Sequence, residues 1–87
     1  MDGRSQLMQS AQQLRRTADK EKQVVANMQK ELDKIKKNVQ EAHNHGMKSP
    51  PTENIMYQME RQIKDMHKDI DNYERQARDI DKQARSL

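Results

Sequence analysis

The residues of this chain best suited to chemistry meet near its middle, in the run His43-Asn44-His45-Gly46-Met47. Two imidazoles and a thioether form a donor set for copper, nickel or zinc. Two imidazoles alone make a weak site, and the remaining histidine, His67, lies far along the chain. The simpler reading is a polar helix end, with histidine near the negative pole of the helix dipole. No metal or other cofactor is expected.

A second set is periodic. Arg61, Lys68, Arg75 and Lys82 recur at every seventh position, and Arg16, Lys30 and Lys37 share that spacing in the first half. Cations so spaced form a ridge on one side of a helix, a geometry that tracks a phosphate backbone or an acidic surface. Asp65, Asp71 and Asp79 flank the ridge, and no aromatic residue is placed to stack on a base. A solvated face with pairs four residues apart, such as Arg61–Asp65 and Asp71–Arg75, accounts for the same residues. Nucleic acid is therefore the less favoured partner.

Other chemistries lack their parts. Two glycines, Gly3 and Gly46, cannot build a phosphate-cradling loop. The absence of cysteine removes disulfides, thiolate catalysis and the usual structural zinc sites. No nucleophile stands beside a base, and the elements described next enclose no pocket for one. The chain is read as non-enzymatic. It has no apolar run approaching the ~20 residues that span a bilayer, and Met1-Asp2-Gly3-Arg4 lacks the apolar core of a secretory signal. An intracellular, cytoplasmic setting is the expectation. The pattern is still running at Leu87, as in a piece of a longer chain.

The elements that position these groups follow from composition and period. Of the 87 residues, 36% are charged and 31% hydrophobic, with no Phe and no Trp. So little aromatic bulk argues against a compact globule. It suits a long helix or coiled coil, with disorder as the rival. Hydrophobic spacing decides between them. Leu7, Ala11, Leu14, Ala18, Val25, Met28, Leu32, Ile35, Val39 and Ala42 step by four and three, interrupted only at Glu21. Met56, Met59, Ile63, Met66, Ile70, Tyr73, Ala77, Ile80, Ala84 and Leu87 do the same without a break. An average step of 3.5 residues is the mark of a left-handed supercoil. In heptad letters, Ala11, Ala18, Val25, Leu32 and Val39 are a, as are Met56, Ile63, Ile70, Ala77 and Ala84; the other residues of both runs, and Glu21, are d.

Gly46 is placed to end the first helix, and Ser49 or Thr52 to cap the second, with Pro50 in its first turn. The chain is thus expected to be one all-α domain over residues 1–87, an antiparallel two-helix coiled-coil hairpin. Helix 1 is assigned to 4–44, the loop to 45–50 and helix 2 to 51–86. A domain-swapped dimer or a larger oligomer fits the same pattern.

Folding at the loop pairs residues whose numbers sum to 98, so that every a meets a d, from Ala42–Met56 to Ala11–Leu87. The e positions then oppose each other as Arg15–Asp81, Lys22–Glu74 and Lys36–Glu60, all of opposite sign. The g flank includes one like-charge pair, Glu31 and Asp69. Glu21 is the single polar residue in the seam. It either escapes past the small Ala77 or serves as a register pin. The methionines near the loop read as core filling, with an adaptable binding surface as the lesser alternative.

A hairpin this thin has little interior, so further association is expected. Met8, Val24 and Ile55, at e or g, and Tyr57, at b, are the candidate partner-binding residues. The leading expectation is a non-enzymatic protein–protein interaction module: an adaptor, spacer or assembly subunit that engages a helical partner or a second copy of itself. The alternatives are a polyanion-binding hairpin using Arg61, Lys68, Arg75 and Lys82, and, by analogy of shape alone, the N-terminal regulatory domain of a SNARE-type trafficking protein.

Overall fold

The computed structural model describes residues 2–87. It contains two helices, α1 (Gly3–Asn44) and α2 (Pro50–Arg85), folded back on each other as a rod of 66 × 15 × 14 Å. Both helices fall within one residue of the spans expected from sequence. Local signals explain where they start and stop. Asp2 caps α1, its carboxylate accepting a hydrogen bond from the Arg4 amide at 3.1 Å; this cap was not anticipated. At the other end the Met47 amide donates to the Ala42 carbonyl (2.8 Å) and the Gly46 amide to His43 (3.0 Å). This is a Schellman closure, and it needs a left-handed residue at Gly46, whose φ is +72°.

Ser49 occupies the N-cap of α2, with Pro50 and Pro51 as the first two helical residues. Its side chain makes no capping bond to the backbone and pairs instead with the Thr52 hydroxyl at 2.8 Å. Pro50 and Pro51 carry no amide hydrogen, so two of the donors usually orphaned at a helix start do not exist here.

The core lies along the line between the helices. All eight buried apolar residues are a positions: Ala11, Ala18, Val25 and Leu32 on α1, and Ile63, Ile70, Ala77 and Ala84 on α2. The d positions from Leu7 to Ile80 are only half-buried. The core also grades along the rod. Alanines line the open end, while Val25, Leu32, Ile63 and Ile70 pack with Met28, Met56, Met59, Met66 and Tyr73 nearer the loop. Methionine thus fills the core here, as expected. The outermost layer is a correction. Ala11 is buried, but Leu87 lies beyond α2 and is 75% exposed. Its Cδ1 sits 3.9 Å from where a Cβ on Gly3 would stand, so it leans towards the start of α1 rather than closing a layer.

Glu21 does not wholly escape the seam. Its Oε2 is buried and accepts no hydrogen bond among the described residues. An unsatisfied buried polar group costs about 1–3 kcal/mol. Glu21→Leu is therefore expected to raise the melting temperature by about 4 °C or more, measured by circular dichroism. A fall in melting temperature would show that the carboxylate makes a favourable contact.

Candidate interaction surface

The two flanks of the seam are built differently. On the e side, cationic residues of α1 meet carboxylates of α2. Arg15 pairs with Asp81, Lys22 Nζ lies 3.3 Å from Glu74 Oε1, and Lys36 Nζ lies 3.2 Å from Glu60 Oε1. These are the three pairs expected from sequence. A fourth was missed: His43 Nε2 lies 2.6 Å from Glu53 Oε1, at the same heptad positions one step nearer the loop. The residue numbers of every pair sum to 96, a signal that was present for His43 but was overlooked beside its role at the helix end. With His43 engaged by Glu53, the histidine run offers no converging donor set. Among the described residues no group of three or more His, Cys, Asp or Glu is placed to hold a metal ion.

The g side carries no such ladder. Every g residue within the helices is exposed, and only Glu31 and Asp69 among them are charged. Glu31 turns to Lys34 on its own helix (3.4 Å). On the e side, by contrast, Glu53, Glu60, Glu74 and Asp81 are half-buried. Successive helix residues advance by about 100°, so e lies about 40° to one side of a, and d about 60° to the other. Burial is centred on a, every d residue within the helices is half-buried, and the α2 carboxylates at e are half-covered where they pair with α1 cations. The half-buried d residues, including Met28, Met66, Tyr73 and Ile80, therefore border the open g side.

The four candidate partner-binding residues do not share one surface. Val24 (47% exposed) and Ile55 (51%) are both g residues on the open side. Met8 is an e residue at the open end, beside the Arg15–Asp81 pair and Ala84, where the helices leave a shallow cleft. Tyr57 is a b residue near the loop, also on the e side, and is exposed. Met47, in the loop, is a further exposed apolar residue that sequence reading passed over.

The basic ridge is present as a surface but not as the paired face expected. Arg61, Lys68, Arg75 and Lys82 are all exposed. Neither Arg61–Asp65 nor Asp71–Arg75 comes within ion-pair distance among the described residues. The cations that do cross between the helices are at e, not on the ridge. The clefts beside Leu14 and beside Met8 are open to solvent, and among the described residues no helix is long and apolar enough to cross a membrane.

The e-side ladder supplies register rather than bulk stability. Lys22 and Glu74 are 50% and 36% exposed, and such pairs contribute about 0–1 kcal/mol each. A double-mutant cycle on Lys22→Glu and Glu74→Lys, followed by urea unfolding, is expected to give a coupling of that size. The doubly reversed chain should recover the stability lost in each single variant; a chain no more stable than its single variants would remove the pair as a register device.

No protein-family model, curated protein or solved structure matches this chain.

Proposed function

We propose that this hairpin is a protein–protein interaction module whose d/g side docks against another α-helical surface. One observation carries the reading: the d residues of both helices stay half-buried and are bordered by an exposed, almost uncharged row of g residues that includes Val24 and Ile55. Exposed apolar area of this kind on a thin rod favours association, because the rod has little core of its own. Within this reading an adaptor, spacer or assembly subunit is the role that uses an exposed helical side along a rod.

The polyanion-binding reading rests on the exposed cations Arg61, Lys68, Arg75 and Lys82. Neighbouring carboxylates weigh against it, and the exposed Tyr57 beside Arg61 is a single aromatic rather than a stacking row. The two readings respond to opposite substitutions. Val24→Lys combined with Ile55→Lys is expected to weaken association at least about tenfold, since each change sets a charge into an apolar contact, while helicity is retained. Reversing the four ridge cations is expected to leave association within about threefold, as outward-facing charges contribute little. Sedimentation and nuclease-treated capture read both. Binding that survives the first pair, fails with the second and falls steeply with salt identifies a polyanion ligand instead.

A further inference from the structure

The open side carries a charge pattern that says what it fits. Beyond the g row lie the c positions, all exposed. On α1 two of them are Lys20 and Lys34; on α2 two of them are Asp65 and Asp79. Lys20 with Asp79, and Lys34 with Asp65, have numbers summing to 99, within one residue of the hairpin's own level pairing at 98. The same arrangement appears on the closed side with the signs exchanged. There the b positions Asp19 and Asp33 of α1 stand level with Arg78 and Lys64 of α2, outside the e ladder that already joins the helices. On that side the e ladder joins the helices directly, while Asp19 turns to Lys22 and Asp33 to Gln29 on their own helix; on the open side no e-type ladder intervenes, and the c charges keep the same antiparallel complementarity. The c residues point away from the seam, so Lys20 and Lys34 cannot reach Asp79 and Asp65 of their own hairpin.

We propose, building on the interaction-module reading, that the occupant of the d/g side is a second copy of this chain, paired about a two-fold axis parallel to the rod. That axis keeps residues at their own height. It therefore sets α1 of one copy beside α2 of the other, antiparallel, in the register of the hairpin itself, with both loops at the same end. Each Lys20 then meets an Asp79, and each Lys34 an Asp65, twice over by symmetry. A two-fold axis perpendicular to the rod sets α1 against α1 and α2 against α2, and brings no Lys20 or Lys34 opposite an aspartate. The result is an antiparallel four-helix bundle, in which each helix shows a/e to one neighbour and d/g to the other around a shared a/d core. One side of the rod projects an area on the order of 900 Å², the same order as the ~800 Å² of surface that each partner buries in a stable interface. Two features keep the pairing modest: Glu31 approaches Asp69 across the g row, and Glu21 of both copies enters one core layer.

The test uses the full chain and sedimentation across concentration. The wild-type chain is expected to double its mass at micromolar concentrations. Lys20→Asp with Lys34→Asp makes every c contact acidic, and Asp65→Lys with Asp79→Lys makes every one basic. Each double variant alone is expected to self-associate on the order of tenfold to a hundredfold more weakly while remaining helical. Mixing the two restores opposite charges at all four contacts and is expected to restore the dimer, which also shows that both chains fold. A single spin label at Lys48→Cys, in a chain with no other cysteine, is expected to report loops within about 35 Å of each other. A separation near the 66 Å rod length overturns the parallel axis, and failure of the mixture to dimerise overturns the c-position contacts. A wild-type chain that stays monomeric yet binds a helical protein through Val24 and Ile55 overturns the second copy and leaves the interaction-module reading standing. A monomer that binds only polyanions overturns both.

Discussion

The structure depends on one constraint: two helices with almost no bulk between them must still exclude water along about 60 Å of contact. The a positions do this. Ala11, Ala18, Ala77 and Ala84 let the backbones approach closely at the open end, where a larger residue would hold them apart. Val25, Leu32, Ile63 and Ile70 provide apolar volume towards the loop, where the methionines adapt to the remaining gaps. Burial at one heptad position per helix is a narrow seam, and this narrowness drives the remaining features. It leaves d half-covered, it makes register depend on charges at the flank, and it gives the rod a side on which a further helix can pack.

The flanking charges matter because the apolar seam discriminates poorly between registers. A slide by one heptad still sets apolar residues against apolar residues. What it changes is which charges meet at e. The four crossings from Arg15–Asp81 to His43–Glu53 share one register, and each is too exposed to stabilise the fold much alone. Acting together, they separate the observed pairing from its neighbours. Segregation of the signs adds to this: at e, α1 is basic and α2 acidic, so α1 beside α1 and α2 beside α2 are both disfavoured there. The sequence encodes not only that helices associate but which surfaces may meet.

Most of this frame was legible before the structure. Two four-three runs, broken only at Glu21, and a loop holding Gly46, Pro50 and Pro51 specify a hairpin, and the opposite-sign e pairs specify its register. What was not legible has physical causes. A heptad pattern treats a and d alike, because both are apolar and both point inward on average. That a is buried while d stays half-covered depends on how closely the two helices pack, which residue type alone does not express. For that reason Met8, Val24, Ile55 and Tyr57 looked like one group of stray apolar residues, whereas two lie on the closed side and two on the open side. Leu87 was assigned a full layer by number, but the helix ends at Arg85 and releases it. Arg61–Asp65 and Asp71–Arg75 satisfied the spacing for intrahelical pairs, yet spacing permits such contacts without enforcing them, since long exposed side chains lose entropy when fixed. Asp2 as an N-cap was readable and was passed over because the first apolar residue, Leu7, comes later.

The contrast between the two flanks also bears on what kind of molecule this is. A chain selected only to be a stable rod gains nothing from leaving one side of its seam uncharged and half-open; a row of e-type ion pairs on both flanks would cover the d residues better and limit association. A chain selected to grip a polyanion would concentrate its cations on one continuous surface. Here the cations are spread over several rows: those at e face carboxylates across the seam, Lys20 and Lys34 at c stand level with acids on the other helix, and others look outward at b and f. The row with the least charge, g, is also the one that carries the exposed apolar residues Val24 and Ile55 beside the half-buried d residues. That combination supports the proposal that another helix docks there, because a partner that brings its own apolar stripe covers d without stranding a charge.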